Sequence, residues 1–198
     1  MKSRCQWCGS DPLYVAYHDQ EWGVPVLDDE HLFEMLVLEG AQAGLSWITV
    51  LRKREGYRAL FDNFDVERVA RYTDRKLDKI LGDPRIIRNR LKVYGTRQNA
   101  RAFLAVREEL GSFSSYMWRF IDYKPVQNNW RNIGEVPPRS PVSDAISKDM
   151  KKRGFTFVGS TIVYAHMQAT GMVNDHTADC FRHRECQRLA AGVARSRR

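Results

Sequence analysis

No run of apolar residues in this chain reaches the length of a membrane-spanning helix. The N-terminal MKSRCQWCGSD lacks the apolar core of a secretory leader, so a cytoplasmic protein is expected. No stretch alternates apolar and polar residues as a half-buried strand does, and neither a long repeat nor a low-complexity block is present. What remains is an all-α fold. Acid is the scarcer charge, with 24 Asp and Glu against 32 Lys and Arg and a net charge of +8. That excess favours a polyanionic partner, most simply nucleic acid. No strongly amphipathic basic helix suits a membrane surface, so no membrane partner is expected. Cysteine is sparse, with four residues. In a chain expected to stay in the cytoplasm they point to metal or free thiols before disulfides.

With 198 residues, 43% of them hydrophobic, the chain can bury a sizeable core as one domain or two small lobes. Residues 1–181 are read as a single domain, with two helical lobes. Residues 182–198 are basic and poor in apolar side chains, and are expected to be disordered. The first 25 residues read as loop. Asp28 or Asp29 caps a helix running to about residue 43, apolar nearly all round and therefore central. Ser46 caps WITVLRKRE. Short helices follow, capped by Asp65 and Thr73, and Pro84 starts a longer basic one that Gly95 is placed to break. Its arginines are a solvated face by default and a DNA-facing one on the sharper reading. A Pro- and Asn-rich loop spans residues 123–142, and Ser143 caps DAISKDMKKR.

The organising stretch is residues 155–180, FTFVGSTIVYAHMQATGMVNDHTADC. Gly159 allows a positive φ in a tight turn, a helix starts at Ser160 or Thr161, and Gly171 ends it. A helix–glycine turn–helix presents backbone N–H groups that can hold phosphate. His176 and Cys180, four apart, would share one face of a helix. Cys5, Cys8 and His18 lie near the N-terminus, so a metal could join the two ends. Cys5, Cys8, His176 and Cys180 make one set of four ligands; Cys5, His18, His176 and Cys180 make another. Spacing alone does not choose between them. Glu39 is out of place after the apolar run MLVL, because a buried carboxylate needs donors or a raised pKa.

Three segments, YHDQEWGVP (residues 17–25), LFEMLVLEGAQAGLSWITVLRKRE (residues 32–55) and SDAISKDMKKRGFTFVGSTIVYAHMQATGMVNDH (residues 143–176), closely resemble the DNA-3-methyladenine glycosylase I family. The resemblance covers about residues 4–180. It implies an all-helical helix-hairpin-helix enzyme that flips 3-methyladenine out of alkylated double-stranded DNA and hydrolyses its N-glycosidic bond. Such an enzyme is monofunctional and leaves an abasic site. The resemblance also implies one structural Zn2+ held by Cys5, His18, His176 and Cys180; Cys8 departs from the pattern as an extra thiol. Glu39 is the implied recognition and catalytic residue, with Tyr17, Trp22 and Trp47 lining the same pocket. Gln42 and Leu45 are implied to fill the gap left by the extruded nucleotide, and Gly159, Ser160 and Thr161 to hold the DNA backbone. No aspartate base is assigned; Asp175 is the fallback as water activator. A monomer without an obligate protein partner is expected. A non-catalytic sensor of alkylated DNA is the alternative. A zinc-stabilised transcription factor is disfavoured, because TIVYAHMQAT is too apolar to read bases.

Overall fold

Every residue from Leu32 to Ala41 is buried in the computed structural model, which describes residues 2–195. These residues belong to α2 (Asp29–Gln42), whose N-cap Asp28 accepts from the His31 N–H. The helix is apolar nearly all round, so neighbours close over it on several sides. They are α3 (Trp47–Leu51), α7 (Arg90–Leu110), α8 (Phe113–Trp118) and α10 (Ser160–Ala169). Phe33 of α2 meets Phe103 of α7 edge-on at 5.3 Å, and Phe103 stacks on Phe113 of α8 at 4.2 Å. Helices α4 (Arg54–Leu60), α5 (Val66–Ala70) and α6 (Asp74–Leu81) complete this side, with Asp65 and Thr73 capping as expected.

Helix α9 (Pro141–Lys152) and α10 pack together as a helix–turn–helix corner. The cap of α9 is Ser140, not Ser143. Pro141 takes the first helical position, and Ser143 closes a capping box with Ser140. In the turn the positive φ angles fall on Gly154 (+86°) and Phe157 (+54°). Gly159 keeps an extended φ of −60° and serves as N-cap of α10, so its expected positive φ is not found. The turn is seated against α2 and α7. A Cβ at Gly95 would lie 2.8 Å from Thr156 Oγ1, and one at Gly40 3.2 Å from the Phe157 Cβ. Gly95 therefore serves close approach, and α7 runs through it unbroken. That helix starts at Arg90 with Asn89 as cap, later than Pro84 suggested.

Other local expectations change near the ends of the chain. Residues 12–20 are helix α1 (Pro12–Gln20), with Asp11 accepting from the Leu13 and Tyr14 N–H groups. Two-residue strands, β1 (Val126–Gln127) and β2 (Val173–Asn174), pair in parallel, Val126 opposite Val173. The tail expected to be disordered forms helix α11 (Phe181–Arg195). Cys186, Ala190 and Val193 recur at helical spacing and are buried, which gives this basic segment an apolar seam. The last three residues of that expected tail lie outside the described residues. Among the described residues no helix is long and apolar enough to cross a membrane.

Candidate functional site

Helices α1, α2 and α10 converge on a cavity of about 240 Å³. From α1 come Tyr14 and Tyr17, three residues apart on one face; from α2, Glu39 and Gln42; from α10, Ala165 and Gln168. Trp47, at the first turn of α3, stands 5.3 Å from Tyr17 between ring centroids. Trp22 and Trp7 meet edge-on at 4.9 Å, and Trp7 also packs against Tyr14 at 5.1 Å. The indole N–H groups of Trp7 and Trp47 are buried without a partner among the described residues.

Glu39 is 5% exposed, and burial alone pushes its carboxyl up to about 8. Among the described residues no cation or donor offsets that burial. Tyr17 is raised well above the ordinary phenol value, first by burial and then by the nearby Glu39. The cavity is thus an aromatic box with one unpaired acid. Tyr17, Trp22, Glu39, Gln42 and Trp47, singled out in the sequence, meet here. Trp7, Tyr14, Gln168, Asp175, Ile133 and Val136 were not identified as wall residues. The Asp11-Pro12 cap was the readable signal for α1 and hence for Tyr14. For Trp7 and the residues of the irregular segment, composition and periodicity carried none.

Leu45 sits at the rim, 39% exposed, on a turn with Gly44 at φ +80°. The Gln42 side chain closes that turn by donating to the Leu45 carbonyl at 2.8 Å. Lys92 of α7 donates to the carbonyls of Ala41 and Ala43, both at 2.7 Å, capping the end of α2. Gly159, Ser160 and Thr161 lie at the start of α10, outside the cavity wall. The Ser160 hydroxyl is engaged with Ser143 at 2.8 Å, and Thr161 is exposed. Several cations of α7 and its approach are committed internally: Arg85 to Asp83, Arg90 to Asp78, Arg97 to Asp74.

A second constellation lies behind the aromatic box. Cys5, His18, His176 and Cys180 are all buried, and their ligand atoms lie within 4.8 Å of one another. Cys5 Sγ is 3.4 Å from His176 Nδ1; Cys180 Sγ is 3.5 Å from His18 Nε2 and 3.6 Å from His176 Nδ1. Tetrahedral zinc, with bonds of about 2.3 Å to sulfur and 2.0–2.1 Å to nitrogen, would hold such donors roughly 3.5 Å apart. Asp19 accepts from His18 Nδ1 at 2.8 Å, and the Trp22 carbonyl accepts from His176 Nε2 at 3.0 Å. Each ring thereby turns its other nitrogen inward, as a metal ligand requires. The hydrogen bond from Cys5, with His176 and His18, holds the Cys180 thiol far below the usual thiol range. Cys8 is outside the group; its thiol donates to the Cys5 carbonyl at 3.2 Å. Residues 175–180 are irregular, with a turn only at 178–179, not the helix expected from the i, i+4 spacing, yet the two ligands still converge. Ring contacts connect the two sites: Trp7 with His18 at 5.2 Å and Trp22 with His176 at 4.6 Å.

The methyladenine glycosylase family model matches residues 7–183. DNA-3-methyladenine glycosylase 1 of Escherichia coli (strain K12) is 49% identical over 177 residues, covering 89% of this chain and 95% of the relative. DNA-3-methyladenine glycosylase of Haemophilus influenzae is 46% identical over 180 residues, covering 91% and 97%. A crystal structure of 3-methyladenine DNA glycosylase I superposes with a TM-score of 0.89 at 50% identity, over 90% of this chain and 98% of that one. A Staphylococcus aureus structure, described as the structural basis of 3-methyladenine recognition by that enzyme, gives 0.87 at 34% identity, over 90% and 95%. Residues 7–183 hold every wall residue of the aromatic box and all the clustered ligands except Cys5, and on this evidence the chain belongs to the methyladenine glycosylase family.

Proposed function

We propose that this glycosylase extrudes 3-methyladenine from alkylated double-stranded DNA and hydrolyses its N-glycosidic bond, leaving an abasic site. The observation that carries the reading is Glu39, an unpaired carboxyl buried in an aromatic box. N3-methylation makes the base cationic while it is joined to the sugar. Such a base supplies the missing charge partner, and normal adenine does not. Aromatic faces such as Tyr17 and Trp47 attract a cation and stack on it. Its positive charge draws the Glu39 proton away, and the carboxylate then accepts from the exocyclic amino group. A guanine presents a carbonyl there, so 7-methylguanine, although cationic, meets lone pairs with lone pairs.

The chemistry needs little from the protein. A cationic base leaves as a neutral molecule, so no general acid is required. Water attacks a sugar of oxocarbenium character, which a negative Glu39 stabilises electrostatically. Extrusion costs less for a poorly paired base. Gln42 and Leu45, at the rim, would occupy the vacated stack, and α9–turn–α10 would act as the DNA-binding hairpin. The first-turn N–H groups at Gly159, Ser160 and Thr161 are suited to phosphate. Cys5, His18, His176 and Cys180 would hold one zinc with all four positions filled, so the metal's part is structural. The working unit is a cytoplasmic monomer.

The test is release of free base from methylated duplex DNA by the wild type and Glu39→Gln. Expected is release of 3-methyladenine, without 7-methylguanine, by the wild type, and a loss of about a hundredfold or more in the variant. Equal release by the variant would remove Glu39 from the mechanism. Binding of methylated DNA without release by either protein would make the chain a sensor.

A further inference from the structure

We infer that Asp175 is a positioning residue that locks residues 126–136 in place as a wall of the cavity. Its side chain lines the cavity yet is 1% exposed, and both oxygens are saturated. Oδ1 accepts from Asn128 Nδ2 and Trp130 Nε1, each at 2.7 Å. Oδ2 accepts from the Tyr164 hydroxyl at 2.7 Å and Gln168 Nε2 at 2.8 Å. A carboxylate has about four acceptor directions, and four donors fill them. No lone pair is left to take a proton from water, so the group does not serve as a general base in this arrangement.

The donors divide evenly between two elements. Tyr164 and Gln168 belong to α10, while Asn128 and Trp130 belong to the irregular segment after β1. That segment supplies Ile133 and Val136 to the cavity. Its longest regular element there is a single 3-10 turn, Ile133–Glu135. Up to Trp130 the segment is pinned to the body: the Asn128 N–H to the Asn174 carbonyl at 3.3 Å, the Trp130 carbonyl to the Ala178 N–H at 2.8 Å. Beyond it, the bonds of Arg131, Asn132 and Gly134 are local ones, to Glu135 and Asn132. Ile133 is therefore held at one remove, through Trp130 and Asn128, while Val136 also packs against the core. Burying a carboxylate is expensive unless every lone pair is met, and here the four donors meet them while joining wall to helix. Asparagine would turn an NH₂ toward two of the donors and open the link.

The identity of the ligand rests on the proposed excision of 3-methyladenine; the wall itself does not. The test compares full-length wild type, Asp175→Asn, Trp130→Phe and Asn128→Ala. It measures hydrogen exchange over residues 128–136, the dissociation constant for free 3-methyladenine and single-turnover excision against enzyme concentration. Expected for Asp175→Asn and Trp130→Phe are faster exchange in that segment and base binding weaker by about tenfold. The half-saturating enzyme concentration should rise by a similar factor, while the saturating rate falls by no more than about threefold. The inference is overturned if Asp175→Asn loses about a thousandfold in saturating rate with exchange and base affinity unchanged, as removal of a base would produce. It is also overturned if Trp130→Phe and Asn128→Ala both match the wild type in exchange. Those two variants decide the matter should Asp175→Asn fail to fold. A wild type that binds no 3-methyladenine would refute the functional reading, and the exchange comparison would still judge the wall.

Discussion

Glu39 is where the proposed function opposes stability most plainly. Its carboxyl moves from an ordinary 4.5 to about 8 on folding, through burial alone. Between those values the unfolded chain carries the charge and the folded chain keeps the proton. Stability therefore falls as pH rises through this window, and the full penalty is reached above about 8. Its size is on the order of 5 kcal/mol at most. Glu39→Gln should remove the penalty. Near pH 8.5 the variant should melt about 5 °C or more above the wild type, and near pH 4 the two should nearly coincide. Thermal melts at both pH values check this; an offset independent of pH would show that Glu39 does not titrate in the cavity. The acid was legible in the sequence because it interrupts an apolar run. Tyr17 and Trp22 were legible only through family resemblance, since an aromatic side chain near a glycine looks the same in a core as in a pocket. Trp7 was not legible at all: its place follows from packing between residues far apart in the chain.

At the scale of elements, the caps were the readable part. Asp28, Asp65 and Thr73 each accept from a backbone N–H at the start of a helix, which short polar side chains do wherever the chain turns into helix. Charge masks spacing in the C-terminal segment: its arginines dominate the composition, although Cys186, Ala190 and Val193 mark a buried seam. Strands β1 and β2 were beyond reach, since two residues are too few to show a period. The basic face of α7 was legible as composition but not as purpose. Lys92, one of its cations, caps α2 just beneath the Gln42–Leu45 turn. Lys92→Met should cost about 1–2 kcal/mol, by leaving two carbonyls without their donor and the helix end without its cation. The turn should loosen with it. Excision from duplex DNA should then suffer more than binding of the free base, because Leu45 on the turn is proposed to meet the DNA, whereas Glu39 and Tyr17 of the cavity lie on helices outside the turn. Urea denaturation with the two activity measurements checks this; unchanged stability together with unchanged excision would mean that the cap carries no load.

Across the whole molecule, the Cys and His cluster ties together parts that are distant in sequence. Cys5 and His18 lie in the first elements of the chain or just before them, and His176 and Cys180 in the irregular chain after β2. That the ends should meet was legible from ligand types gathered at both termini; that Cys8 stays out of the set depends on where its thiol points. Joining residues so far apart removes much of the freedom of the unfolded chain, and the entropic gain grows slowly with loop length. The cluster also supports the aromatic box, because Trp7 rests on His18 and Trp22 on His176. Stability and base recognition should therefore fail together when the proposed zinc is lost. The protein as purified should hold about one zinc per chain, since one tetrahedral set of ligands is present. Removing it with a strong chelator, or replacing Cys180 with Ser, should lower the melting temperature by about 10 °C or more, given the free energy of such sites. Affinity for free 3-methyladenine, measured below the new melting temperature, should fall as well, because the walls Trp7 and Trp22 lose their backing. A metal-free protein with an unchanged melting temperature would show that the four side chains hold the ends together by hydrogen bonds alone. A lowered melting temperature with undiminished base affinity would separate the two sites and confine the metal to holding the chain.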